Sequence, residues 1–551
     1  MHRRTLRLEQ LERRCLLAGD VSAVLKGGDL IITGDQDPND PHEAIKIECV
    51  AHDWYHPLNT YRVSGIGGTR VNGSLDPLAI PNVTRHVSVD LKTGKGEVAT
   101  DLDEHGTYFW VAGDLTVKNT ATVSIRYAQI SGKVTVDGGS VVTLHGIMGA
   151  PNKETRVRAG TENDKINVDS VIHGKLTVDT GAGDDEVVLD HSTVYYDATL
   201  KTAAGKDSVT VQNYSWLHGR LNVDTAAGND SVAVVSSALD RDVSVNTGDG
   251  DDLVRIDDST LSGKLTVETG KGDDTVGMDP STISRDANVK TGDGDDEVVL
   301  EQVALLAKLS VDTGNGADEV GMFESTAQQT LDIKTGNGED SVGLAHVAVG
   351  ANANIQTGNN DDRIGVVAGA VTGNLSIDSG NAGVPGLIGQ DQVGVSGTAV
   401  VGKLTIKTGT GEDSVGIGDD SIVVDFLVDG FSDVFHRDVA GATGPVLVGS
   451  AASVTTGRGD DAVRIAHATA AVFSLDTGDG VDSGLIQASE ADRIKVKMGS
   501  GDDLLTLDTS GGLPDTGELD GGAGQDHIYA TPITHNGDYG GVTVRNWETF
   551  N

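Results

Sequence analysis

Residues 176–189 read Leu-Thr-Val-Asp-Thr-Gly-Ala-Gly-Asp-Asp-Glu-Val-Val-Leu, and variants of this stretch recur along most of the chain. Apolar and polar residues alternate on both sides of the Thr-Gly-x-Gly turn, which is typical of two short strands that each bury one face. Short runs such as Ser259-Thr-Leu261 and Ser281-Thr-Ile283 follow and indicate a third side. The repeat therefore predicts a loop of chain with three short strands.

The turn recurs every 22 or 23 residues through most of its copies. One repeat cannot bury its own apolar face, so successive repeats must stack as coils about 4.8 Å apart. The sequence thus predicts an all-β chain folded as a parallel β-helix, a β-solenoid of about 22 residues per coil. Coils of this length resemble those of the right-handed β-helices. The first residue of the turn is Thr180, Thr202, Thr225, Thr247, Thr269, Thr291, Thr313, Thr335, Thr357, Ser379, Thr408, Thr456, Thr477, Met498 or Asp520.

The composition of the chain argues against some classes of binding partner. The 551 residues include 83 acidic and 41 basic side chains, which gives a formal charge of −42. This excess argues against nucleic acid or an anionic membrane as the main partner, because both attract basic surfaces. Only 4% of the residues are aromatic, so the core must be aliphatic. Cys15 and Cys49 cannot form a disulfide framework. The sequence contains no apolar run of about 18 residues, so it predicts no transmembrane segment.

Residues 1–20 are basic and amphipathic but lack the apolar run of an ordinary secretory signal. Within them, Leu8-Glu-Gln-Leu-Glu-Arg-Arg-Cys-Leu-Leu-Ala18 resembles the N-terminal export region of planctomycete extracellular proteins. The resemblance covers this segment alone. It implies export to an extracellular or cell-surface location and no particular activity. The alternative is a short solvated helix that leads into the first domain.

The rest of the chain divides into three predicted parts. Residues 21–80 lack the turn pattern, and we interpret them as a cap over the first coil. Residues 81–515 are the predicted solenoid, in which acidic turns begin at about residue 160. Residues 516–551 contain a final turn and a predicted capping strand.

The turns concentrate carboxylates at one position. Across fourteen turns the last residue is always Asp, and the residue before it is acidic in nine of them. Carboxylates stacked about 4.8 Å apart repel by roughly 1 kcal/mol in water and by about 3.5 kcal/mol at an effective dielectric near 20. We therefore expect a positive species along this edge.

A hard divalent cation is suited to this edge. Asp oxygens from consecutive coils and carbonyls of a glycine turn can supply the six to eight ligands that Ca²⁺ takes, whereas Mg²⁺ demands tighter octahedral geometry. The alternative is that each Asp caps its own turn through backbone amides. At Asp207 the alternatives are balanced, because Lys206 could replace the cation. The predicted calcium ligands are Asp185, Asp230, Asp252, Asp274, Asp296, Asp318, Asp340, Asp362, Asp413, Asp461, Asp482, Asp503 and Asp526.

The turns also resemble the calcium-binding nonapeptide repeats of the repeats-in-toxin (haemolysin-type) proteins, Gly-Gly-x-Gly-x-Asp-x-apolar-x. Residues 521–529, Gly-Gly-Ala-Gly-Gln-Asp-His-Ile-Tyr, match all nine positions, and residues 248–254 match from the second glycine onward. In that family two turns occur per 18-residue coil, whereas here one turn occurs per 22 residues and Thr usually replaces the first Gly. The resemblance implies calcium binding by the aligned Asp residues. It implies neither a two-edged roll nor toxin activity.

The preferred function is that of an exported, non-enzymatic, calcium-binding solenoid. It would act as a structural or adhesive element at the cell surface or in the matrix, with a polysaccharide or protein there as partner. The alternative is a polysaccharide-active β-helix enzyme, a lyase or hydrolase, with calcium as a structural ion. Carboxylates at equivalent places in every coil favour the scaffold over a single catalytic groove.

Two insertions interrupt the repeat, at Asn381 to Gly389 and at 424–447. Loops that project from a solenoid often carry binding function, and the alternative is a harmless length variant. An enzyme site would be expected at 424–447, which contains Phe426, Phe431 and His436. The sequence has no His-Glu-x-x-His, Gly-x-Ser-x-Gly or phosphate-loop pattern.

Overall fold

A computed structural model describes most of the chain: residues 20–35, 43–51, 59–92, 95–101, 108–381, 390–418, 445–508, 516–531, 541–547 and 549–550. The predictions for the export segment and for most of both insertions lie outside these residues. All regular structure within them is strand. Among the residues described, no helix has the length and hydropathy needed to cross a membrane.

The chain forms two compact units. The first contains residues 1–204 and 215–219, and the second contains residues 205–214 and 220–551.

The first unit begins with antiparallel strands and continues as parallel coils. Asp29–Gly34 pairs antiparallel with Asp20–Lys26 and parallel with Val87–Asp90, the first strand of the coils. Strands of successive coils then pair in parallel, as Leu115–Lys118 does with Val134–Asp137. The strands of this unit are Asp20–Lys26, Asp29–Gly34, Ala44–Ala51, Asn59–Ile66, Arg70–Val71, Leu78–Val83, Val87–Asp90, Glu97–Thr100, Phe109–Val111, Leu115–Lys118, Thr122–Arg126, Ala128–Ile130, Val134–Asp137, Val141–Gly149, Thr155–Arg158, Lys165–Ile172, Leu176–Asp179, Glu186–Asp190, Thr193–Val194, Ala198–Lys201 and Trp216–Leu217.

The second unit repeats three strands in register: one before the turn, one after it, and a short third strand. Leu265 faces Ala287, and Ala287 faces Leu309, so the coils are offset by 22 residues. This confirms the predicted period, the parallel stacking and the third side.

We call these three sets the pre-turn, post-turn and short strands. The pre-turn strands are Leu221–Asp224, Val243–Asn246, Leu265–Lys271, Ala287–Asp293, Leu309–Asn315, Leu331–Lys334, Ala353–Gln356, Leu375–Asp378, Leu404–Lys407, Ala451–Thr455, Thr516–Asp520 and Gly541–Arg545. The post-turn strands are Ser208–Gln212, Ser231–Val235, Leu253–Asp257, Thr275–Asp279, Glu297–Glu301, Glu319–Phe323, Ser341–Ala345, Arg363–Val367, Gln392–Ser396, Ser414–Gly418, Ala462–Ala466, Ser483–Gln487, Leu504–Asp508, His527–Thr531 and Thr549–Phe550. The short strands are Ala238–Leu239, Thr260–Leu261, Thr282–Ile283, Ala304–Leu305, Thr326–Ala327, Ala348–Val349, Ala370–Val371, Ala399–Val400 and Val446–Val448, while Ala468–Asp476 and Glu490–Lys497 join a short and a pre-turn strand.

The core of the second unit is a stack of aliphatic layers, one per coil. In one coil Val267, Val276 and Ile283 point inward from the three strands and are fully buried. Burial of one such side chain stabilises the fold by about 1.5–3 kcal/mol. Because each layer packs against the layers of adjacent coils, no coil can bury its apolar face alone. The stack also fixes the turns one above another.

Candidate metal-binding edge

Two residues with positive φ give each turn its shape, and both are glycine in most turns, whereas Ala203, Ala226 or Asn360 takes one of the two positions in three others. In the turn that follows Thr247, Gly248 has φ +98° and Gly250 has φ +149°, values that residues with a Cβ rarely adopt. A Cβ on Gly250 would also overlap the carbonyl oxygen of Gly228 in the preceding coil. Adjacent turns are therefore close enough for backbone amides and side chains of different coils to form hydrogen bonds.

The last Asp of each turn is buried and bonds to the neighbouring coil. Asp252 is 2% exposed, and its Oδ1 accepts a hydrogen bond from the amide of Asp230 at 2.8 Å. The amide of Asp252 donates in turn to Oδ1 of Asp274 at 2.9 Å. The amide that each Asp binds here belongs to the preceding coil, so the alternative of a cap on its own turn is wrong for these bonds. Asp164 of the first unit does accept such a bond, from Gly160 of its own turn.

We call this column of buried Asp residues the inner Asp ladder. The predicted ligand of the first unit, Asp185, accepts from the amide of Asp164 at 2.8 Å. In the second unit an unbroken series of such bonds, 2.8–3.1 Å long, runs from Asp207 to Asp526. The series contains the other twelve predicted ligands: Asp230, Asp252, Asp274, Asp296, Asp318, Asp340, Asp362, Asp413, Asp461, Asp482, Asp503 and Asp526.

The ladder has a member that the sequence analysis missed. Asp391 follows the first insertion and accepts a hydrogen bond from Ser379 at 2.7 Å, although twelve residues separate the two. In the uninterrupted turn of Thr313 and Asp318 the separation is five residues. The insertion hides Asp391 from a search by spacing, but its Gln-Val-Gly-Val continuation at 392–395 resembles the other repeats.

The second carboxylate oxygen differs from coil to coil. Oδ2 of Asp318 accepts a hydrogen bond from Thr313 at 2.6 Å. In another coil the hydroxyl of Thr225 donates instead to the carbonyl oxygen of Thr247, 3.3 Å away. A hydroxyl has one proton to donate. Within the described residues, buried Oδ2 atoms with no hydrogen-bond partner belong to Asp230, Asp252, Asp274, Asp296, Asp362, Asp413, Asp461, Asp482 and Asp503.

Burial raises the pKa of the ladder carboxyls. Loss of hydration is the largest cause, and it raises the pKa of Asp230 to about 6, of Asp274 to about 7 and of Asp362 to about 8. The nearby hydroxyl of the turn threonine and the hydrogen bond from a backbone amide lower the pKa of each, while the charges of adjacent Asp residues raise it. At neutral pH the ladder thus mixes protonated and ionised carboxyls. The ionised ones are stable only with a compensating charge or hydrogen bond.

A second acidic column lies on the surface of the same turns. Asp251, Asp273 and Asp295 are exposed. The amide of Asp273 donates to Oδ1 of Asp251 at 3.1 Å, and the amide of Asp295 donates to Oδ1 of Asp273 at 2.9 Å. These bonds run from each coil to the preceding one, whereas the inner ladder bonds run to the following one. Together the two columns hold adjacent turns through two amides per coil.

The residue between the glycines forms a third column, which the sequence analysis also missed. Nδ2 of Asn337 donates to Oδ1 of Asn315, and Nδ2 of Asn359 donates to Oδ1 of Asn337, both at 2.6 Å. Asn315 in turn donates to Asp293 at 2.7 Å. The 22-residue spacing of these asparagines was a signal that could have revealed the column. It adds carboxamide hydrogen bonds between coils beside the two acidic columns.

The carboxylates are arranged along lines and not around a point. Within the part of the chain that the structure describes, no three His, Cys, Asp or Glu side chains converge as a metal-binding cluster. A calcium ion on this edge would therefore take part of its shell of six to eight oxygens from turn carbonyls and water.

The fold and the turns define the chain as a parallel β-solenoid whose coils are joined by a ladder of buried Asp residues. Comparison of the chain with protein-family models, with curated proteins and with solved structures finds no match.

Proposed function

We propose that the chain is an exported, non-enzymatic β-solenoid that binds Ca²⁺ along its acidic turn edge. It would serve as a structural or adhesive element at the cell surface or in the matrix, with a polysaccharide or protein there as partner. The observation that carries the proposal is the set of buried Oδ2 atoms without a hydrogen-bond partner. An ionised oxygen in that state costs several kcal/mol unless a cation compensates it. Calcium prefers oxygen ligands of this type.

Calcium binding would couple to the stacking of coils. The ladder oxygens come into line only when adjacent turns are stacked, so an ion that binds them stabilises the folded state over the unfolded chain. Each Ca²⁺ would also neutralise two negative charges on an edge where three cationic residues, Lys206, Lys271 and Arg458, occur in the fourteen turns. The ion would thus oppose the repulsion that a chain of charge −42 must overcome.

The repetition of the site supports a scaffold. The same carboxylate and the same amide bond recur from Asp207 to Asp526, so Oδ1 has the same role in every coil of the ladder. A catalytic site needs a local departure from such regularity, with groups of different pKa set against one another. The ladder distributes binding over many equivalent positions, as a structural ion site requires.

Replacement of inner Asp residues should lower the calcium stoichiometry. We expect the triple variant Asp252→Asn, Asp274→Asn, Asp296→Asn to bind a few ions fewer than the unchanged chain, as measured by elemental analysis after dialysis against Ca²⁺. The matched control is Asp224→Asn, Asp312→Asn, Asp378→Asn, which removes the same charge from outward positions before the turn. Unchanged stoichiometry in the first variant would place the ions elsewhere. Equal losses in both variants would indicate charge screening in place of bound ions.

Export is expected to depend on residues 1–20. Expressed in a planctomycete cell, the full chain should be recovered outside the cytoplasm by fractionation. Replacement of Leu16 and Leu17 by Asp should retain it inside, because the change removes the apolar end of the segment that resembles an export region. A chain that remains cytoplasmic with the segment intact would contradict the proposed location.

A further inference from the structure

One side of the first unit is rich in aromatic rings, although only 4% of the residues of the chain are aromatic. On this side one strand residue per coil points outward, and these residues stand in register across six coils. Trp110 is half-buried and Trp216 is 48% exposed. We call this set the outward row, and it consists of Trp110, Gln129, Met148, Val171, Thr193 and Trp216.

A second group of rings lies beside the outward row, at the position that follows these strands. His173 and Tyr195 stack with their ring centroids 4.8 Å apart and their planes only 8° apart. The centroids of Tyr195 and His218 are 4.9 Å apart, and those of His218 and Trp216 are 4.5 Å apart. The separation of the stacked rings matches the step of about 4.8 Å between coils. The fold therefore arranges rings of three coils in one continuous contact, in which Tyr195 is 46% exposed.

A third group of rings precedes the strands of the outward row. The ring of Tyr127 packs edge to face with those of Tyr108 and His145, at centroid distances of 6.4 and 5.1 Å. Nδ1 of His145 lies 2.8 Å from Oδ2 of Asp169, which orients the imidazole. We call the three groups together the aromatic face. Its rings all belong to the first unit and are Tyr108, Trp110, Tyr127, His145, His173, Tyr195, Trp216 and His218.

The aromatic face has a distinct chemistry. None of the six residues of the outward row is charged, whereas 23% of the residues of the chain are. Exposed apolar surface of this kind marks a place where a partner or ligand binds. Tyr, Trp and His each combine an apolar ring with a polar edge that can form hydrogen bonds. The face is therefore suited to an uncharged ligand that has both apolar surfaces and hydrogen-bonding edges.

A neutral glycan has these properties. In a sugar ring whose hydroxyls are equatorial, the C–H groups form two apolar surfaces and the hydroxyls form a polar rim. Five steps of about 4.8 Å make the outward row about 24 Å long, which is the length of about five such rings in an extended chain. A row with one position per coil also favours a polymer with a regular repeat over the irregular surface of a protein. An acidic glycan would be repelled by Asp169 and by a chain of charge −42.

We propose that the aromatic face binds a neutral, extended polysaccharide that lies along the stacked coils of the first unit. The rings pack against the C–H surfaces of the sugars, while the phenol, indole and imidazole edges form hydrogen bonds with their hydroxyls. The inference rests on the proposed adhesive function, because it names the class of polysaccharide and the surface that binds it. It does not depend on calcium, since none of the rings belongs to an acidic turn.

Electrophoresis of the full chain in native gels that contain a polysaccharide tests this binding. We expect hydroxyethyl cellulose and glycol chitin, which are neutral, to retard the chain and alginate, which is acidic, to leave it unretarded. Trp216→Ala and Tyr195→Ala should each weaken the affinity for the neutral polymers by about tenfold or more, as the loss of an aromatic hot spot does. Trp216→Phe should retain most of the affinity.

Tyr529→Ala is the matched control, because Tyr529 is 44% exposed and lies in the second unit. It should leave the affinity unchanged, and all four variants should keep the unfolding midpoint of the unchanged chain, since each alters an exposed ring. Lack of retardation by both neutral polymers would overturn the proposal, as would equal retardation of the unchanged chain and the two alanine variants of the aromatic face. Retardation by alginate alone would also contradict it.

Sedimentation of the full chain separates a polysaccharide from a protein partner. Self-association that Trp216→Ala abolishes would assign the aromatic face to a second copy of the chain and would overturn the proposal. Calcium stoichiometry should be unchanged in Trp216→Ala, and the triple variant of Asp252, Asp274 and Asp296 should still bind the neutral polymers. Failure of this inference and failure of the calcium proposal are therefore distinguishable.

Discussion

Removal of Ca²⁺ by a chelator should lower the midpoint of thermal unfolding by at least about 10 °C relative to the chain in millimolar Ca²⁺. A single site at a free ligand concentration of a hundred times its dissociation constant adds about 2.7 kcal/mol to stability. Several such sites along the inner Asp ladder would add several times that free energy. One kcal/mol shifts the midpoint by roughly 2–4 °C for a unit of 150–250 residues, so even a few ions give a large shift.

Circular dichroism during heating measures this shift. Millimolar Mg²⁺ is the matched control, because it supplies the same charge and ionic strength but prefers a tight octahedral shell. We expect Mg²⁺ to reverse only a small part of the decrease in midpoint that the chelator causes. An identical midpoint in chelator and in Ca²⁺ would contradict the proposed function. Equal effects of the two ions would reduce the role of calcium to general screening of a chain of charge −42.

The period of the sequence was enough to predict the fold. Strands that repeat every 22 residues and bury one face have few solutions other than parallel stacking, and the register of Leu265 with Ala287 confirms it. The same period predicted that the Asp residues align, because residues spaced one coil apart occupy equivalent positions and form a column. Asp391 was missed because an insertion before it interrupts the 22-residue spacing, as the hydrogen bond from Ser379 shows.

What the period could not predict is what each column contacts. Spacing alone does not distinguish a carboxylate that points at solvent from one that accepts a hydrogen bond from an amide of the preceding coil. Asp252 is of the second kind, because it accepts a hydrogen bond from the amide of Asp230. That distinction depends on the path of the turn through Gly248 and Gly250, which sets where the amides point.

Without calcium, the chain should be more stable at pH 5 than at pH 8. The pKa of an ordinary Asp is 3.8, and burial raises it to about 7 in Asp274 and Asp296 and to about 8 in Asp362. A group whose folded-state pKa is raised contributes stability that is fully present below the unfolded pKa and is lost as the pH rises through the folded pKa. The window of loss therefore extends from about pH 4 to pH 8. Each such carboxyl contributes up to about 1.4 kcal/mol per pH unit within it.

Denaturant unfolding at pH 5, 6, 7 and 8 measures this loss, once in chelator and once in Ca²⁺. Calcium should flatten the profile, because the cation takes over the role of the proton, and the apparent calcium affinity should increase with pH as protons are displaced. A flat profile in chelator would mean that amide and threonine hydrogen bonds alone hold the ionised ladder, and the case for a cation would lose its main support.

Asp274→Asn separates these possibilities, because its effect should change sign with calcium. Asn retains an Oδ1 that can accept the hydrogen bond from the amide of Asp252, and the substitution removes the buried charge. In chelator we expect the variant to be more stable than the unchanged chain, by about 3 kcal/mol more at pH 8 than at pH 5, and the two should become equal only below about pH 4, where the unfolded carboxyl is protonated as well. In Ca²⁺ it should be less stable, because a ligand is lost. The exposed neighbour Asp273→Asn is the control and should change stability by less than about 0.5 kcal/mol. If Asp274→Asn destabilises the chain equally at both pH values in chelator, the ionised carboxylate is itself the stabilising species and requires no cation.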